Sequence, residues 1–153
     1  MARMYTQDEL DELAHQFESL LFVAETAIII VDKQVSQRKT IGRMLEELHV
    51  EKDRVFEADD DIKAQPIIDK NTDKRLIIIT DLNFSRPQCD GLKFITKLKK
   101  TPALASAQFI VITDERNKER AAAAMKLGLV GFFKKPLDLA QLKAKLVELN
   151  VAS

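Results

Sequence analysis

The chain has 153 residues, with 24 Lys plus Arg against 24 Asp plus Glu and therefore no net charge. That balance excludes the basic footprint of a nucleic-acid binder and gives no pull toward an anionic membrane surface. The length allows one domain with a sizeable core, and no apolar run approaches the ~20 residues that a membrane span needs. The opening MARMYTQDEL lacks the apolar stretch of a signal peptide, and the single cysteine, Cys89, excludes an internal disulfide. Both point to a soluble cytoplasmic protein with neither nucleic acid nor membrane as partner.

Thr6 with Glu9 three residues on is a capping-box pattern and predicts a helix over 6–22. Leu10, Leu13, Phe17 and Leu20 give it a narrow apolar stripe with acidic residues between. Such a helix either lies on its own domain or serves dimerisation or docking, since two heptads are too few for a coiled coil alone. The run TAIIIV over 26–31 is β-branched without alternation, as in a parallel strand covered on both faces, and it ends at Asp32. Ser36 is the expected N-cap of a helix that shows Ile41, Met44, Leu45 and Leu48 on one face. A short strand over 55–58 leads into Asp59-Asp60-Asp61, a solvated loop or helix start. Pro66 is expected either to begin the next helix or to shorten and kink it.

The second buried-type strand, RLIIIT over 75–80, ends at Asp81. A polar loop follows, then a helix over 91–99 with Leu92, Phe94, Ile95 and Leu98 inward, ended by Thr101-Pro102. QFIVIT over 108–113 is a further strand. Asn117 caps a helix centred on AAAAMKL and stopped by Gly128. A short strand over 130–133 is broken by Lys135-Pro136, and Asp138 with Gln141 caps a last helix presenting Leu139, Leu142, Leu146 and Leu149. Strand–helix alternation of this kind implies an α/β fold. The natural topology is a doubly wound five-stranded parallel sheet, flavodoxin-like, in three α/β/α layers. The expected organisation is an N-terminal amphipathic helix over 1–24 and one domain over 25–153.

In a parallel sheet the carboxyl ends of all strands face one rim. Asp32, Asp81 and Thr113 end strands there, and Lys135 follows the last one. Two carboxylates, a hydroxyl and an ammonium therefore converge. Carboxylates sharing a site bind a hard cation such as Mg²⁺ through oxygen. A cation and a lysine neutralise a phosphoryl group, and a carboxylate can serve as its nucleophile.

With these residues in order, the chain over 26–149 resembles the receiver domain of two-component response regulators, in its stand-alone, CheY-like form. The resemblance implies that Asp81 is the phosphoacceptor, Thr113 the switch hydroxyl and Lys135 the lysine of a Lys-Pro motif whose peptide bond is usually cis. It further implies that Asp32 and Asp81, with the backbone carbonyl of Asn83, hold Mg²⁺, and that Phe132 is the switch aromatic. Two departures stand out. Where the family has two adjacent acids after the first strand, this chain reads Asp32-Lys33, which puts a positive charge where the metal would sit. The loop from Asp81 to Gly91 is also slightly longer than the family's commonest form.

The resemblance implies a non-enzymatic phosphorelay protein that takes a phosphoryl group from a histidine kinase or phosphotransfer protein. The chain ends shortly after its last helix, so a separate output protein is the expected target. The N-terminal helix is an extra that the family pattern does not require, and its stripe is expected either to mediate a homodimer or to cover an output face. The alternative is a pseudo-receiver, a docking module that works without phosphorylation because Lys33 replaces a metal-binding acid. A hydrolase passing through aspartyl-phosphate is a third reading, disfavoured because Asn83 stands where such enzymes place a second acid.

Overall fold

The structure, a computed structural model, describes residues 4–86 and 88–151, and of 17–24 the backbone alone. Five strands form the sheet: β1 Thr26–Val31, β2 Val55–Ala58, β3 Arg75–Thr80, β4 Gln108–Thr113 and β5 Gly131–Lys134. They alternate with α1 Gln7–Ala24, α2 Val35–Glu47, α3 Asp61–Lys70, α4 Gly91–Lys99, α5 Lys118–Met125 and α6 Leu139–Glu148. The sheet is parallel throughout, in the order β2-β1-β3-β4-β5. The expected doubly wound fold is what the chain adopts.

The unbroken apolar strands are explained by where alternate residues go. Ile29 and Val31, Ile78, Phe109 and Val111 pack under α3, α4 and α5, with Ala64, Ile68, Phe94, Ile95, Leu98 and Ala124. Ile28 and Ile30, Ile77 and Ile79, Ile110 and Ile112 face the other way, against Ile41 and Leu45 of α2 and Leu142 and Leu146 of α6. A strand with a core on both faces has no polar side to show.

The Thr6–Glu9 box forms: the Glu9 N–H donates to Thr6 Oγ1 at 3.1 Å and the Thr6 N–H to Glu9 Oε2 at 2.9 Å. Leu10 and Leu13 are nevertheless 46% and 47% exposed, so the described part of the α1 stripe is not packed on the domain. The Phe17 and Leu20 side chains lie outside the described residues.

Four local expectations are corrected. Ser36 does not cap α2: the helix starts at Val35 behind Gln34, whose N–H is taken by Asp32 Oδ1 at 2.8 Å. Pro66 neither starts α3 nor ends it but sits at its sixth residue. Asp60 caps that helix through the Lys63 N–H at 2.9 Å, and buried Ala64 and Ile68 hold its inner face, so the bond a proline cannot give Ile62 is lost without breaking the helix. Strand β5 is shifted by one residue to 131–134. At α6, Asp138 caps alone, accepting the Ala140 N–H at 2.9 Å.

Candidate functional site

Strand order decides which side chains meet. Strand β3 lies between β1 and β4, so its terminal residue has a strand end on either side. The crevice beyond the carboxyl ends opens between β1 and β3, where chain direction across the sheet reverses. Asp32 and Asp81 stand there, each 2% exposed. The Lys135 backbone N–H donates to the Thr113 carbonyl at 2.9 Å, which aims its side chain back over the rim. Its ammonium then donates to Asp32 Oδ2 and to Asp81 Oδ2, both at 2.8 Å. Burial alone would lower the Lys135 pKa; the two carboxylates outweigh it and raise the group above its usual value. The Lys135-Pro136 peptide bond is cis.

The two oxygens of Asp81 are not equivalent. Its Oδ1 accepts from Thr113 Oγ1 at 2.5 Å, the Leu82 N–H at 2.6 Å and, more weakly, the Asn83 N–H at 3.4 Å. Its Oδ2 has Lys135 alone. Oδ1 is therefore the more fully engaged oxygen and Oδ2 the less engaged one. Gly91 makes this possible: a Cβ there would collide with the Asp81 carbonyl and stand 2.7 Å from Leu82 Cα. The opening residue of α4 must therefore be glycine, whatever its backbone angles.

The structure brings Asp32, Asp81, Thr113 and Lys135 together as expected. Asn83 stands half-buried beside them. Phe132 is half-buried a short way off, lining an open cleft with Asp114, Asn117, Met125 and Lys134. Lys33 is exposed, and the ammonium on both acids belongs to Lys135.

Several residues at the rim were not singled out in the sequence. Arg38 donates to the Asp32 carbonyl at 2.6 Å and to Glu57 at 3.3 Å, steadying the β1 end. Arg86 makes a two-pronged pair with Asp61, at 3.2 and 3.1 Å, tying the loop after β3 to α3. Arg120, on the first turn of α5, reaches four acceptors at once: Glu115, Asp90, the Leu82 carbonyl and Asn83 Oδ1. Three of these lie 30 to 38 residues away in sequence, beyond any local pattern. The one local signal was the Asn117 cap, which starts the helix and so sets the direction of Arg120.

A family model, the response regulator receiver domain, matches residues 28–147. The chain belongs to the response regulator receiver family. It is similar to chemotaxis protein CheY1 of Helicobacter pylori, 30% identical over 119 residues that cover 78% of this chain and 92% of that one. A CheY homolog of Campylobacter jejuni is 29% identical over 78% of this chain and 88% of its own. Among solved structures, a response regulator receiver protein from Pseudomonas putida superposes with a TM-score of 0.70 at 25% identity, over 81% of this chain and 97% of that one. A receiver domain protein from Clostridium thermocellum gives 0.69 at 21% identity, over 82% and 94%, and supports the fold. Receivers of this kind are signalling modules of two-component systems.

The family implies Mg²⁺, and the donor set here is narrow. Among the described residues no three His, Cys, Asp or Glu side chains cluster as a metal site. Two carboxylates do converge: one nitrogen stands 2.8 Å from both Asp32 and Asp81. Mg²⁺ needs only one or two carboxylates where a phosphate and water complete its shell, so the residues fit the ion at this minimum.

Proposed function

We propose that this receiver accepts a phosphoryl group on Asp81 Oδ2 from a phosphohistidine of a histidine kinase or phosphotransfer protein, and signals by binding a separate output protein. The observation that carries the reading is the asymmetry of Asp81: one oxygen held by three donors, the other facing the crevice beside a buried ammonium. Oδ2 attacks phosphorus, a new O–P bond forms, the P–N bond breaks, and the imidazole leaves with its electron pair. Lys135 stays beside the acyl phosphate and offsets its charge. Thr113, already bonded to Asp81, is placed to follow the phosphoryl oxygens, and Phe132 repacks in the space that shift opens, biasing the face built by β4, β5 and α5 between two states. Asp32, Asp81 and the Asn83 carbonyl would hold Mg²⁺, which when bound adds positive charge against the phosphoryl oxygens. The protein acts in the cytoplasm as a non-enzymatic switch with its domain over 25–153. The test is incubation with acetyl phosphate and Mg²⁺, read by intact mass. A gain of one phosphoryl group in wild type and none in Asp81→Asn is expected; no gain in wild type overturns the reading.

Lys33 supports a second reading, a pseudo-receiver that docks its partner without phosphate. Here Lys135 already bridges both acids and offsets half of their charge, and the acid that would add metal affinity is an exposed lysine. Unsaturable Mg²⁺ titration of the Asp81 environment by NMR would favour it.

The α1 stripe supports a homodimer. Light scattering on the full chain against a chain beginning at Val23 is expected to show loss of dimer; equal masses would remove that role.

A further inference from the structure

Arg120 sits at the centre of an ion network that joins the loop after β3 to the loop after β4. Its Nε donates to Glu115 Oε2 at 2.9 Å, in the loop after β4. Its Nη1 donates to Asp90 Oδ2 at 2.7 Å, and Asp90 in turn caps α4 through the Lys93 N–H at 3.0 Å. Its Nη2 donates to the Leu82 carbonyl at 3.0 Å and to Asn83 Oδ1 at 3.2 Å. These last two contacts fall on the residues whose N–H groups hold Asp81 Oδ1. Glu115 closes the circuit, because its own N–H donates to Thr113 Oγ1 at 3.2 Å, the hydroxyl that also bonds Asp81 Oδ1.

A guanidinium is suited to this in a way an ammonium is not. Its planar fork directs several donors at fixed angles, and Arg120 uses that fork on four acceptors. The side chain is largely enclosed, with 30% exposure, and its two carboxylates have 27% and 11%. Burial alone would raise the pKa of each acid. Backbone N–H groups of Lys93 and Asn117, together with Arg120, outweigh that and lower both, so the network is fully charged at neutral pH.

We infer that Arg120 is a positioning residue for phosphoryl transfer: by holding Leu82 and Asn83 it keeps Asp81 Oδ1 occupied and Oδ2 presented to the donor. The inference rests on the phosphoacceptor reading of Asp81. Two of the four contacts, to Glu115 and Asp90, are ion pairs that also tie loops together. The other two, to the Leu82 carbonyl and the Asn83 side chain, act on Asp81 through the two residues that follow it. Arg120→Lys separates them, since a lysine can keep an ion pair but cannot span all four acceptors.

The experiment compares the full chain with Arg120→Lys, Arg120→Ala and, as a control on the same turn, Lys118→Ala. Three quantities are read: thermal stability, the rate of Asp81 phosphorylation by acetyl phosphate, and amide hydrogen exchange at Leu82 and Asn83. Arg120→Lys is expected to keep most of the wild-type stability, yet to be phosphorylated about tenfold more slowly, as slowly as Arg120→Ala. Exchange at Leu82 is expected to quicken roughly tenfold in both. Recovery of rate along with stability in Arg120→Lys would make Arg120 a structural tie only and overturn the inference. If wild type accepts no phosphoryl group, the phosphoacceptor reading fails instead, and amide exchange then decides: unchanged Leu82 exchange in Arg120→Lys overturns the positioning role.

Discussion

Strands β1 and β3 lie side by side, each ends in an aspartate 2% exposed, and each aspartate turns Oδ1 back to the N–H two residues on, that of Gln34 at 2.8 Å and of Asn83 at 3.4 Å. From sequence alone the two ends are near duplicates. What separates them is their neighbours. Strand β1 has the short β2 on its outer side, and Asp32 gains from there only the Ala58 carbonyl, which accepts its N–H at 3.1 Å. Strand β3 has β4 on its outer side, and Asp81 gains the Thr113 hydroxyl. The residue after Asp32 is exposed Lys33, whereas the residue after Asp81 is buried Leu82, whose N–H is a third donor. A strand-end carboxylate thus acquires its chemistry from its place in the sheet more than from its own segment. Asp32 and Asp81 are both counter-ions to Lys135, but only Asp81 has one oxygen crowded by three donors and the other held by Lys135 alone.

The helices after the two strands each hold a glycine, and replacing these gives the widest expected split. Gly91, first in α4, has no room for a Cβ against the backbone of Asp81 and Leu82, while Gly42 in α2 has nothing within 4 Å. Gly91→Ala is expected to destabilise by roughly 3 kcal/mol, the range for backbone that must shift in a core, and to disturb Asp81 with it. Gly42→Ala should instead stabilise, by about 0.5 to 1 kcal/mol, through helix propensity. Urea unfolding measures both, and equal effects would break the contrast.

Lys135→Met removes what the two ends share. Its side chain is 11% exposed, and its loss leaves two buried carboxylates facing each other. The expected cost is about 3 kcal/mol at neutral pH. Because the folded pKa of Lys135 is raised, its contribution is fully present below the ordinary lysine value and is lost as pH rises through the folded one. On the alkaline side of neutrality, the stability curves of wild type and Lys135→Met should therefore converge only in strong alkali; convergence near neutrality would show that the ion triad contributes little.

Much of this site could be read along the chain, for a physical reason. A continuous β-branched run ending in Asp, Asp, Thr and then Lys-Pro is local information, and parallel alternation brings local ends to one rim. The partners that distinguish Oδ1 from Oδ2 were not legible. Leu82 acts through a backbone N–H, which every residue but proline carries. Arg120 acts across 37 residues on Asn83 and 30 on Asp90, a contact only the packed loops create. Pro66 could not be placed along the chain, because the Asp60 cap and the buried Ala64 and Ile68, not the proline, set where α3 begins and which face it buries. The Ser36 cap failed because the helix starts one residue before it, so the Arg38 N–H that a Ser36 cap would take already bonds the Gln34 carbonyl at 3.1 Å.

Lys33→Asp tests whether the β1 end can be made to match the metal chemistry expected of the β3 end. It replaces an exposed cation by a third carboxylate beside Asp32. Mg²⁺ is expected to bind about tenfold more tightly, equivalent to roughly 1.4 kcal/mol, as followed by NMR or fluorescence titration. Affinity no better than wild type would mean that the exposed side chain cannot reach the ion, and would remove the basis of the pseudo-receiver reading.

The smallest expected effect lies in the caps that open the two helices. Helix α2 has no side-chain cap at Gln34, whereas Asp90 caps α4 and also pairs with Arg120. Asp90→Asn keeps a capping oxygen and deletes only the charge, so the cap itself is conserved. Burial alone would raise the Asp90 pKa, but the Lys93 N–H and Arg120 hold it below the usual carboxylate range. A depressed folded pKa contributes stability above the unfolded value, near pH 4, that disappears as pH falls through the folded one. Asp90→Asn should then cost about 1 kcal/mol at pH 7, the worth of a partly screened charged pair, and the gap to wild type should close as pH falls below 4. A gap that persists in acid would assign the loss to the cap and not to the pair with Arg120, and the α2 and α4 starts would then differ in geometry alone.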